Sequence, residues 1–103
     1  MINKREAIIF LIKQCYKNFP ELIEEIPKEE MYKTLMKNIL NIRGDGKHEN
    51  IKGLYSSRTK EIQILNKGKI NLKDIKEDQD IINTLAHEGV HGMFRKTSRS
   101  TRN

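Results

Sequence analysis

The sequence predicts an α+β fold: two N-terminal helices, a small two- or three-stranded sheet or hairpin, and a C-terminal helix. Three observations carry this. Apolar residues recur at intervals of three and four over residues 3–42, alternate with polar ones around residues 61–65, and return to helical spacing after residue 78. At 103 residues the chain has the length of one domain with one modest core.

The first helix is expected over residues 3–19, where Ala7, Ile8, Leu11, Ile12, Cys15, Tyr16 and Phe19 form one stripe and Pro20 ends it. Cys15 on that stripe reads as a buried small hydrophobe, since a lone cysteine can form no internal disulfide. Residues 21–26 fit a short helical turn. Pro27 suits the start of a second long helix to about Ile42, with Glu29 and Glu30 complementing its dipole and Met31, Leu35, Met36, Ile39, Leu40 and Ile42 as its stripe.

"RGDGKHENIKG", residues 43–53, has three glycines and no apolar periodicity, and reads as a loop. "GLYSSRTKEIQILN" reads as extended, with Ile62 and Ile64 on one parity and Thr59, Glu61 and Gln63 on the other. It is one long strand or a hairpin turning near residues 56–58, followed by a turn at "NKGK" and a short strand at residues 70–72. The last helix should begin at Asp78 or Asp80 and run to about Arg95.

The composition narrows the function classes. No apolar run approaches the roughly 18–20 residues that span a bilayer, and none has the flanks of a signal peptide. The expectation is no membrane partner and, by default, a cytoplasmic location. The net charge of +6 is concentrated at one end: four of the 20 bases and none of the 14 acids fall in residues 95–103. The body, residues 1–94, is therefore nearly balanced, and the tail, 95–103, is expected to be basic and disordered, with nothing apolar to bury.

Chemistry is concentrated in "NTLAHEGVHG", residues 83–92. At about 100° per residue, His91 lies roughly 40° from His87 and Glu88 roughly 100° from it. Ile81, Ile82, Leu85, Ala86, Gly89, Val90, Met93 and Phe94 take the rest of the circumference. Imidazoles at i and i+4 can reach one Zn²⁺, while a carboxylate at i+1 can hold and deprotonate the water bound to it.

With the extended segment before it, "TLAHEGVHG" resembles the core of the zincin metallopeptidases, particularly small bacterial and phage-associated ones. The resemblance covers roughly residues 53–94 and rests on the five residues 87–91. It implies a minimal zincin-like fold, zinc held by His87 and His91, Glu88 as general base, and a peptide or protein substrate. It also implies a strand over the cleft that pairs with extended substrate, mapping onto Thr59, Glu61 and Gln63. A metzincin would carry glycine and a third histidine at positions 94 and 97, where this chain has Phe94 and Thr97, and no His, Asp, Glu or Cys follows His91. The third ligand is therefore expected from upstream, with His48 or Glu49 first and Asp45 next, from a second chain, or from a longer enzyme of which this is the N-terminal portion.

The leading functional expectation is a zinc-dependent hydrolase of the metallopeptidase type, acting as a toxin or mobile-element effector, with an inhibitor or immunity protein as a further partner. Two alternatives compete. One is a metal-independent ribonuclease-like toxin, in which His87, His91 or His48 serve as acid and base, Tyr55, Arg58 or Lys60 stabilise the phosphorane, and the basic tail holds nucleic acid. The other is an inactive zincin-like module that only binds a partner.

Overall fold

The computed structural model describes residues 2–101. It has an α+β fold with a four-stranded mixed sheet. Helix α1 covers Lys4–Asn18, capped by the Asn3 side chain, which accepts from the Glu6 amide at 3.1 Å. A single turn, α2 (Leu22–Glu25), leads through Pro27 into α3 (Lys28–Asn38). The chain then forms β1 (Asn41–Gly46), β2 (Ile51–Ser56) and β3 (Glu61–Leu65), two helices, α4 (Leu72–Glu77) and α5 (Gln79–Met93), and a last strand, β4 (Ser98–Thr101).

The strands lie in the order β1-β3-β2-β4, with β1 parallel to β3 and the other two pairs antiparallel. One face of the sheet presents Ile42, Tyr55, Ile62 and Ile64 to the helices, all at most 2% exposed. Opposite parity sends Arg43, Leu54, Glu61 and Gln63 to the other face. Helix α5 is the central element. It packs against α1, α3 and α4 and against β2, β3 and β4.

Four sequence expectations need correction. The second long helix stops at Asn38 rather than near Ile42, and residues 41–46 form a strand. Leu35, Ile39 and Ile42 satisfy the helical period, but Ile42 buries against Ile62 by strand pairing. The expected loop at residues 43–53 contains the end of β1 and the start of β2, and the short strand expected at residues 70–72 does not form, Leu72 instead opening α4. The tail is not wholly irregular either: Ser98–Thr101 pairs antiparallel with β2, while residues 102–103 lie outside the described residues.

The hairpin reading of residues 54–65 holds. Lys60, with φ 57°, donates its amide to the Ser56 carbonyl at 2.7 Å and closes the turn. The helix start at Asp78 holds too, since its side chain accepts from the amides of Asp80 and Ile81 at 3.0 and 3.3 Å. Lys67 lies 3.3 Å from carboxylate oxygens of both Asp78 and Asp80, fixing the first turn of α5 to the turn after β3.

Two predictions follow from how α5 is seated. Gly53 faces Thr84 across the interface, and a Cβ there would lie 2.6 Å from the Thr84 methyl and 3.0 Å from the Gln63 carbonyl oxygen. Gly53→Ala should therefore cost about 1–3 kcal/mol in a urea titration. Combined with Thr84→Ala, its penalty should shrink; strict additivity would reject this contact as the cause.

Asp78 gives a pH test. Burial alone would raise its carboxyl, but the amides of Ile81 and Asp80 and the Lys67 ammonium outweigh it and hold it below the usual range. A group depressed on folding stabilises above its unfolded pKa of about 3.9, and the contribution is lost as pH falls through the lower folded value. Asp78→Ala should thus cost about 1 kcal/mol near neutral pH and progressively less below the carboxylate range. An undiminished penalty in acid would rule out the charge as its source.

Candidate metal and catalytic site

Helix α5 carries His87, Glu88 and His91 in its last two turns, and the three do not share one environment. The His87 and His91 rings are neighbours, with centroids 4.9 Å apart and planes tilted by 57°. His87 is exposed and His91 half-buried. Both line a cavity of about 490 Å³ between α5 and the α1–α2–α3 segment, whose wall is almost wholly apolar and includes Leu11, Phe19, Leu35, Val90 and Phe94. Phe19, Val90 and Phe94 are themselves 55%, 45% and 63% exposed, so the cavity opens through an apolar rim.

Glu88 turns the other way. It is 0% exposed, and its Oε2 accepts from the Ser100 hydroxyl of β4 at 2.5 Å. Its Oε1 is buried and has no hydrogen-bond partner among the described residues. Placing a carboxyl group out of water with one oxygen unpaired is unfavourable.

The proposed third ligands are elsewhere. His48 is bound into its own turn: its Nδ1 accepts from the Asn50 amide at 3.2 Å, and Asn66 holds its backbone on both sides. Asn66 adjoins Lys67, which grips Asp78 and Asp80, so His48 sits by the start of α5. His87 is nine residues beyond Asp78, about 13 Å along the helix axis at ~1.5 Å per residue. Glu49 is exposed on the same connection, and Asp45 is exposed near the end of β1 with φ 107°. Cys15 lines the histidine cavity, and burial raises its thiol above the ordinary range. Among the described residues no three His, Cys, Asp or Glu side chains are gathered as a metal would require.

The residues expected to pair with substrate are also displaced. β3 is hydrogen-bonded on both sides, by β1 and β2, and offers no free edge. Glu61 and Gln63 lie on the sheet face turned from α5, and Glu61 binds Arg43 at 2.9 Å and Asn41 at 3.1 Å. Thr59 is exposed in the β2–β3 turn. The strand whose outer edge lies beside Glu88 is β2, and β4 occupies that edge. Tyr55, a phosphorane-stabilising candidate in the nuclease reading, is fully buried and donates its hydroxyl to the Asn38 carbonyl at 2.7 Å.

Sequence reasoning missed Ser100 and the apolar cavity. The alternation of hydroxyl and basic side chains in "SRST" was the one signal for an edge strand. Comparison with known proteins finds no matching family model, curated protein or solved structure. No helix among the described residues is long and apolar enough to cross a membrane.

The unpaired Glu88 oxygen yields a stability prediction. If the carboxyl group serves chemistry rather than folding, Glu88→Met should leave the melting temperature unchanged or raise it, by an amount equivalent to about 1–3 kcal/mol. A loss of that size would show that the Ser100 contact holds the fold.

Proposed function

We propose that the chain is a metal-dependent hydrolase of the metallopeptidase type, with His87 and His91 holding a divalent ion, zinc by preference, and Glu88 accepting the proton of the attacking water. The observation that supports it is the pairing of adjacent imidazoles, 4.9 Å between centroids, with a wholly buried carboxyl group on the next residue whose Oε1 has no partner. The donor set fits zinc in kind, two imidazoles at i and i+4. It falls short in number, because catalytic zinc sites usually have three protein ligands, and the described residues supply two. The reading therefore requires a further donor from outside them, such as a second chain. When bound, the ion would supply Lewis-acid polarisation of a carbonyl group.

The chain's own residues do the rest. Glu88 faces Ser100 rather than the histidine cavity in this structure, so its side chain must first turn toward the imidazoles. There it takes one proton from the water as the water oxygen adds to the carbonyl carbon, and returns it to the nitrogen as the C–N bond breaks. The apolar cavity beside the histidines has the size and lining to seat a bulky apolar side chain of the substrate, which fixes the scissile bond and excludes bulk water. The nuclease alternative is weaker, because Tyr55 is buried on a backbone carbonyl and His48 lies by the start of α5.

Metal content and activity test this together. Purified protein should take up one zinc per chain in elemental analysis, and His87→Ala should lose both metal and hydrolysis of apolar-residue peptides. Glu88→Gln should keep the metal and lose roughly 10²–10⁴-fold in rate. A Gln variant as fast as the parent, or peptide hydrolysis indifferent to chelator, would overturn the reading.

A further inference from the structure

We propose that β4 is a displaceable strap that shuts Glu88 away from water and occupies the β2 edge, so that the site works only when the strap has left. The inference rests on the reading of Glu88 as the proton acceptor. Ser100 stands opposite Gly53 in the β2–β4 register, and its hydroxyl is the one hydrogen-bond partner Glu88 has among the described residues. Gly53, opposite Ser100, has no side chain of its own to cover the carboxyl group once Ser100 is gone.

The strap is weakly held. β1, β2 and β3 each bury at least one isoleucine, whereas Ser98–Thr101 contains no apolar residue. Among the described residues, backbone pairing along a single edge, packing on α5 that includes the Ser100–Glu88 contact, and the Thr97 hydroxyl, 3.1 Å from the Ser57 amide and 2.9 Å from its hydroxyl, hold it. A segment with few apolar contacts and a solvent-facing ladder belongs to the part of a fold that opens locally. The hinge is marked as well. Arg95 takes φ 55°, a left-handed conformation unfavourable for a side-chain-bearing residue, as the chain leaves α5.

Departure of β4 would expose two things together: the Glu88 carboxyl group and the backbone donors and acceptors of β2. An extended peptide can then add to β2 beside Glu88, in the antiparallel sense β4 now uses. Strap and peptide exclude one another.

The test is carboxyl labelling of the full chain with a carbodiimide and an amine, read by mass spectrometry, with exposed Glu24 and Glu29 as internal standards. Leu54 and Arg99 are paired in the register, so Leu54→Cys with Arg99→Cys, in a Cys15→Ser background, ties the strap down when oxidised. Glu88 labelling should be at least about tenfold slower in the oxidised than in the reduced form, and Arg99→Pro, which removes a ladder donor, should speed it. Equal labelling in the two redox forms, or parent Glu88 labelled as fast as Glu24, would overturn the proposal. Zinc-dependent peptide hydrolysis is followed on the same samples. Labelling that tracks the strap with no hydrolysis in any sample would sink the hydrolase reading alone, whereas hydrolysis with labelling indifferent to the lock would sink the strap alone.

Discussion

The close seating of α5 on its neighbours is the constraint from which the site follows. At Gly89 an added Cβ would lie 2.6 Å from the Leu11 side chain, and at Gly92 one would lie 3.2 Å from Ile39. Helical glycine costs about 1 kcal/mol relative to alanine, so both positions exchange helix propensity for contact with α1 and with the segment leading into β1. A helix drawn in this far leaves the side chain at position 88 no route to solvent. The 3.6-residue turn then sends His87 and His91 to the other side, toward the cavity.

The consequence is a motif divided between two environments. The imidazoles stand at an apolar, open wall, and the carboxyl group stands at a closed sheet edge. Each half is unfavourable for folding in its own way: paired histidines interrupt an apolar rim, and Glu88 keeps an oxygen without a partner. Local rules of burial are broken within five residues of one helix and are obeyed along most of its remaining length. Such a concentration is what chemistry imposed on a stable scaffold produces.

Much of the fold was legible in the sequence because it is local. Asp78 caps the helix its side chain predicts, Pro20 and Pro27 bound the turn between α1 and α3, and the parity of Ile62 and Ile64 gives the buried face of β3. The misreadings share a physical origin. Leu35, Ile39 and Ile42 fit a helix, and the choice against it beyond Asn38 is made by β3 pairing with β1 from twenty residues away. β4 carries no apolar pattern at all, so only its partner β2 reveals it. The neighbouring positions of His87 and His91 were readable from their spacing. The sealing of Glu88 by Ser100 was not, because it depends on a strand that the composition disguises as a tail.

The missing third donor is explained by how the chain spends its acids. Asp78 and Asp80 are held by Lys67, with Lys52 a further 3.5 Å contact on Asp80, and Glu61 is held by Arg43. Asp74 closes the capping box of α4 with Asn71. These carboxylates set helix starts and strand register at the end of α5 remote from the histidines, or on the far face of the sheet. The wall around His87 and His91 is mostly apolar instead, which suits a bulky substrate side chain and supplies no carboxylate. On the proposed reading, a fold that places its charges in architecture and leaves its imidazoles beside hydrocarbon would bind a metal only when another group completes the shell. The same open, apolar rim that denies a ligand from within leaves room for one from outside.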